Sequence, residues 1–329
     1  ISVAQTSSFQ NSSWNSGRLS TSIGQSDLLY TPIKDVHALS KNGRLKEAIE
    51  DAIQISYKED ELESKITVRK GKNKNILIEI VGEELGSKLQ SIEKPYCALV
   101  TGLAGIPSEE EYETSIIVRK AAAKGNSNSV FRNILLQLSK DEKKWGKFLK
   151  QLNEVFPGYN ISIQFDETKD ETIRCIVEKD GVSYPIDTCG TGILQAIQIF
   201  SYINLFEPKI LLLDEPDSHL HPNNQKKLTK IIENVVEDGL SVIIATHSKY
   251  LIESLYDEST ILWIRDGSLV EDTDEYEIKA LIDIGALNAG EVLRNPKYIF
   301  LAEDKNYDLF KTLLESSGFD NDEFEIVPY

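Results

Sequence analysis

The sequence predicts an α/β fold, a mostly parallel sheet flanked by helices, on three observations. Between residues 186 and 256 the pattern runs helix, strand, helix, strand, helix. The strands in that run, within "KILLLDEP" and "SVIIATHS", are apolar without period-two alternation, as strands of a parallel sheet covered on both faces are. The first ends in two adjacent carboxylates, Asp214 and Glu215, and ligands of open α/β sheets bind beyond the carboxyl ends of the strands.

Taken in order, residues 1–27 are mostly Ser, Thr, Asn, Gln and Gly, a composition of loop or disorder. From "LLYTPIKDVHAL" to about Ile55 the spacing predicts helix. "SKITVRKGKNKNILIEIVG" alternates on both sides of a Gly-Lys-Asn turn and predicts a β-hairpin, with Arg69, Lys70, Lys72 and Lys74 at its tip. "PYCALVTGL" predicts a buried strand. "SVFRNILLQLSKDEKKWGKFLKQLNEVF" predicts helix with a polar break near Ser139, ended by Pro157-Gly158. "ISIQFDE" and "TIRCIVEKDGVSYPI" predict two strands, the second turning at Asp180-Gly181. "DTCGTGILQAIQIFSYINLF" is a glycine-rich turn opening an apolar helix. "PNNQKKLTKIIENVVEDG" predicts a helix with Gly239 just past its end, and "KYLIESLY" another. In the tail, Lys297–Ala302 predicts a short strand ending at Glu303, followed by a helix from Asp308 to Ser316 and a further strand.

Composition bounds the function. A formal charge of -17, from 53 acids and 36 bases, repels nucleic acid and anionic membrane, so contact with DNA needs a local basic patch or a partner. The basic hairpin tip is read first as a solvated hairpin end, with contact with DNA as the lesser alternative. Three scattered cysteines, Cys97, Cys175 and Cys189, form neither a disulfide framework nor a zinc site, and no apolar run approaches a bilayer span. These features predict a cytoplasmic protein with no membrane partner.

The acids at the strand tip suit nucleotide hydrolysis. Asp214 can hold Mg²⁺, and Glu215, one residue on and so expected to point the other way, can orient and deprotonate the attacking water. His247 ends the second strand thirty-three residues after Asp214, a spacing at which one strand–helix–strand unit sets both tips side by side. An imidazole there can sense a γ-phosphate. Gly190, Thr191 and Gly192, with Gln195, open a helix whose N-terminal N–H groups can face phosphate.

"CGTGILQ", "ILLLDEP" and "ATHS" resemble the signature loop, Walker B strand and switch-histidine loop of ATP-binding-cassette ATPases, and "DSHLH" stands in the place of the D-loop. "LLLDEPDSHLHPNNQ" and "ATHSKYLIE" are similar to RecF-like and OLD-like ATPases, including those of bacterial anti-phage defence (Gabija, Septu, retron-associated). The resemblance spans about residues 95–329. It implies an ABC-type P-loop NTPase head over 1–295, with a β-hairpin and helical lobe within 30–160. It implies ATP and Mg²⁺ as cofactors, and a homodimer in which each head's Gly190-Thr191-Gly192 loop caps the nucleotide of the other. Cys189 stands where the family usually carries Ser, and a thiol is the poorer γ-phosphate donor. No GxxxxGK[ST] occurs, and the chain contains no methionine; we expect the phosphate-binding loop to precede Ile1.

Residues 296–329 resemble the opening of a Toprim domain, whose first strand ends in a metal-binding catalytic Glu, here Glu303. Asp304 stands where that family usually has Gly. The resemblance implies an ATPase that regulates a nuclease in anti-phage defence. The nuclease would be its own Toprim domain or an HNH-type partner, and retron-associated relatives imply a reverse-transcriptase partner. The alternatives are a nucleotide-sensing scaffold without turnover and a RecF-like DNA-repair ATPase.

Overall fold

The computed structural model describes residues 4–28, 35–40, 43–91, 93–103, 105–123, 125, 127–255, 259–262, 264–265, 268–269, 298–302, 307–317 and 324–328. The chain divides into two compact units, Ile1–Thr246 and His247–Tyr329.

The first unit holds two cores. One lies under an antiparallel sheet. After a short helix α1 (Ser7–Gln10) come β1 (Arg18–Ile23), β2 (Ile53–Glu59), β3 (Leu62–Lys70) and β4 (Ile76–Val81), in the order β1-β4-β3-β2. The predicted hairpin is β3–β4, with Lys72–Lys74 in its turn. Two expectations fail here. Residues 18–23 are a strand rather than loop: Leu19 and Ile23 are buried with half-buried Thr21 between them, and Ser20 and Ser22 lie on the outward side. The helix expected up to Ile55 is absent among the described residues, which form 3₁₀ turns at Val36–Leu39 and Ile49–Asp51 and then enter β2. β-Branched Ile53 and Ile55 favour extended backbone. Helix α2 (Glu83–Gln90) covers the sheet, burying Leu85 and Leu89 with Ile66, Ile76, Ile78 and Ile80. Each such side chain stabilises by about 1.5–3 kcal/mol relative to exposure.

The second core belongs to the parallel sheet. β5 (Cys97–Val100) leads to α3 (Ser115–Ala123), α4 (Phe131–Ser139) and α5 (Glu142–Val155). The polar break is the cap of α5, where the Asp141 carboxylate accepts the Lys143 and Lys144 N–H groups, both at 3.1 Å. β6 (Tyr159–Gln164), β7 (Arg174–Lys179) and β8 (Val182–Pro185) form an antiparallel sheet. The β7–β8 turn is Asp180-Gly181, with φ of 52° and 78°. Then follow α6 (Thr191–Phe206), β9 (Ile210–Asp214), α7 (Pro222–Glu237) and β10 (Ser241–Ala245). β10, β9 and β5 pair in that order, all parallel.

Val100, Leu211 and Leu213 pack on one face of this sheet against α6 and α7. The opposite face is not covered to the same degree. Leu99 and Leu212 are half-buried and Ile243 is 60% exposed, so the expectation of two covered faces holds for one.

In the second unit, α8 (Lys249–Leu255) and a two-residue pair, β11 (Ile264–Arg265) with β12 (Ser268–Leu269), precede β13 (Tyr298–Ala302), α9 (Tyr307–Ser316) and β14 (Phe324–Pro328). β13 and β14 are parallel, joined through a helix, and Leu314 and Ile326 are buried. The expected strand–helix–strand is therefore a βαβ unit. Glu303 lies outside the described residues. No helix among the described residues is long and apolar enough to cross a membrane.

Candidate functional site

The four aliphatics of β9 drive the strand into the core, and the chain turns sharply where they end. Asp214 is exposed, opposite Ala245 in register. Glu215 has φ 48° and donates its N–H to the Ala245 carbonyl at 2.8 Å. A non-glycine residue in this left-handed region is strained, and the ring of the following Pro216 crowds it further. Strand alternation was expected to set Glu215 opposite Asp214. It stops applying at Asp214, because β9 ends there and the left-handed turn sets the direction of Glu215.

The loop 216–221 is held on both sides. Buried Asp217 accepts a 2.6 Å hydrogen bond from the Thr246 hydroxyl, and the Leu220 carbonyl accepts one from the Gln225 side chain at 3.0 Å. His219 is also left-handed, with φ 66°. His221 caps α7, its Nδ1 accepting the Asn223 N–H at 3.3 Å, and Pro222 takes the first helical position, where no N–H is needed. Strain at Glu215 and His219, about 1–3 kcal/mol each, is held in place by these contacts.

The glycine-rich loop lies against this one. A Cβ at Gly192 would meet the His219 carbonyl oxygen at 2.6 Å, so Gly192 allows the first turn of α6 to touch loop 216–221. Gly190 differs. It is the exposed N-cap of α6, with ordinary extended backbone and open space around its missing Cβ. Thr191 is half-buried at the start of the helix. Burial pushes the neighbouring Cys189 thiol up to about 11, with Asp187 adding to the shift. Gln195 is 1% exposed and its Oε1 accepts the Leu103 N–H at 2.7 Å, so it fastens the segment after β5 rather than facing solvent. Gly102 in that segment approaches the Asp214 carbonyl. The segment 101–103 was not singled out from the sequence, although its place at the carboxyl end of a parallel strand was an available signal. His247 is exposed, opens the second unit, and follows Ala245 by two residues in the chain.

A single exposed carboxylate at Asp214 suits Mg²⁺, which takes one or two carboxylates and fills its octahedron with water and phosphate. Among the described residues no three His, Cys, Asp or Glu side chains form a metal cage.

A family model described as "AAA ATPase domain" matches residues 34–252, a span that includes Gly190–Gly192, Asp214, Glu215 and His247. The chain belongs to the AAA ATPase domain family. Relatives of this AAA ATPase domain include an uncharacterized protein of Methanocaldococcus jannaschii, 22% identical over 70% of this chain and 26% of that protein. A putative ABC transporter ATP-binding protein of Methanothermobacter thermautotrophicus is 29% identical over 45% of this chain and 52% of that protein. The Old nuclease of Escherichia phage P2 is 25% identical over 47% of this chain and 30% of that protein. The chain thus spans between 26 and 52% of the length of these three relatives. Among solved structures, an SMC head bound to the C-winged helix domain of ScpA is 15% identical over 69% of this chain and 75% of that chain, with a TM-score of 0.41.

Proposed function

We propose that this AAA ATPase domain hydrolyses ATP beyond the carboxyl end of β9 and so controls a nuclease in anti-phage defence. The observation that carries the hydrolytic part is the end of β9. There Asp214 and Glu215 follow a buried strand, and a strained turn tied to Ala245 holds the second acid. Asp214 would hold Mg²⁺, which when bound neutralises charge on phosphate oxygens. Glu215 accepts the proton of the attacking water, a role worth roughly 10²–10⁴-fold in rate. His247 bonds the terminal phosphate. Across a homodimer, the Gly190–Gly192 loop of one copy caps the nucleotide of the other, and the open space at Gly190 supports that approach.

The nuclease half rests on the similarity to the Old nuclease and on the βαβ unit of the tail. Phosphate release and plasmid cleavage, measured together on the full-length protein with and without Mg-ATP, test both halves. The reading expects turnover, and cleavage by the protein or a co-purifying partner that changes with nucleotide. Turnover with no cleavage under any nucleotide removes the nuclease, and absence of phosphate release removes the ATPase.

A further inference from the structure

Arg132, on the first turn of α4, is a cation with a side chain only 3% exposed. A buried guanidinium is costly unless its donors are used. Nη1 donates to the Pro107 carbonyl at 2.7 Å, and Nη2 to the Ser108 carbonyl at 3.2 Å. Nη2 also donates to the Asp187 carboxylate at 2.8 Å. The base of the side chain is fixed as well. Glu110 caps α4, its two oxygens accepting the Arg132 and Asn133 N–H groups at 2.8 Å each. Asn133 adds a side-chain bond to Glu110 at 2.7 Å. The Glu110 carbonyl in turn accepts the Ile173 N–H at 2.9 Å, just before β7. Arg132 is therefore rooted in the lobe formed by loop 107–111, α4 and β7.

Asp187 lies where the chain leaves β8, which pairs with β7, and heads for the glycine-rich loop. Its side chain is 28% exposed, and it lies in the 3₁₀ turn Ile186–Thr188, three residues before Gly190. The turn runs into the glycine-rich loop through a bond from the Cys189 N–H to the Ile186 carbonyl at 3.0 Å. Besides buried Ile186, the loop is held by Gly192 against His219 and by Asp187 against Arg132. The first of these contacts ties it to the segment after β9, the second to the lobe.

We propose that Arg132 is a positioning residue for the Gly190-Thr191-Gly192 loop, gripping Asp187 so that a shift of the lobe alters how the loop meets nucleotide. This rests on the ATP-site reading above. It makes the lobe an input to the ATPase, with the planar guanidinium as the joint. Nη1 stays on the lobe while Nη2 is shared between Ser108 of the lobe and Asp187 of the loop, a fork that an ammonium does not reproduce.

The test compares full-length wild type with Asp187→Asn, which keeps shape at a partly exposed position, and with Arg132→Lys. Hydrogen exchange at residues 188–194 is expected to quicken about tenfold in Asp187→Asn, while α4 keeps its protection. ATP turnover is expected to fall about tenfold in kcat with KM unchanged in both variants; the melting temperature holds in Asp187→Asn, where the altered side chain is partly exposed, and drops in Arg132→Lys, which also disturbs the bonds to Pro107 and Ser108. Unchanged exchange at 188–194 overturns the proposal. So does faster exchange alongside wild-type kcat, which reduces the pair to a structural contact. A wild-type protein that releases no phosphate sinks the ATPase reading instead, and the exchange measurement still decides whether Arg132 positions the loop.

Discussion

Gly190 and Gly192 are two residues apart and answer to different physics. At Gly192 a methyl group collides with backbone, which cannot swing away as a side-chain tip would. Gly192→Ala is expected to cost about 1–3 kcal/mol, seen as a lower melting temperature. Gly190→Ala should change stability by less than about 0.5 kcal/mol, because the site is open and its backbone is ordinary. If the loop approaches phosphate, Gly190→Ala nevertheless lowers ATP turnover, and a wild-type rate in that variant would argue against the approach. Glu110 offers a separate check. Burial raises its pKa, opposed by the N–H groups of Arg132 and Asn133, by the Asn133 side chain and by the Arg132 charge 3.9 Å away. A carboxylate with a raised folded pKa contributes stability that is fully present below its unfolded pKa and lost as pH rises through the folded one. Relative to Glu110→Gln, which does not titrate, wild type should gain stability as pH falls from neutrality into the acid range. Melting curves of both proteins across that window test the sign.

At the level of elements, local chemistry decided what could be read. β9, β10, α6 and α7 were legible because each has an unbroken apolar run or stripe and a turn residue at its boundary. The cap at Asp141 was visible only as a polar break; removing it in Asp141→Ala should cost about 1 kcal/mol, measurable by denaturant titration. β1 and β2 were hidden for a different reason. Leu19 faces Ile80 and Ile23 faces Ile76, so the strand exists through pairing with residues far along the chain, and its outward positions are polar. Gln195 shows the same limit at the site. Its position near a glycine-rich loop suggested a ligand contact, whereas its partner, Leu103, is brought there only by the fold. The pairing of Asp187 with Arg132 was likewise illegible, since 55 residues separate them.

For the whole molecule, the first unit assembles the end of β9, loop 216–221 and the glycine-rich loop into one surface. The carboxylates at its centre were legible as candidates because they follow an apolar strand. What the sequence did not convey was the left-handed turn at Glu215, which depends on the Ala245 carbonyl across the sheet. His247→Ala should reduce turnover with a smaller effect on nucleotide binding, as measured by phosphate release and by titration with a fluorescent ATP analogue. The central claim concerns Glu215, and the most direct measurement compares ATP binding and phosphate release in full-length wild type and Glu215→Gln. The account predicts that the variant binds ATP as wild type does while phosphate release falls by at least roughly a hundredfold. A variant that releases phosphate at the wild-type rate would contradict it.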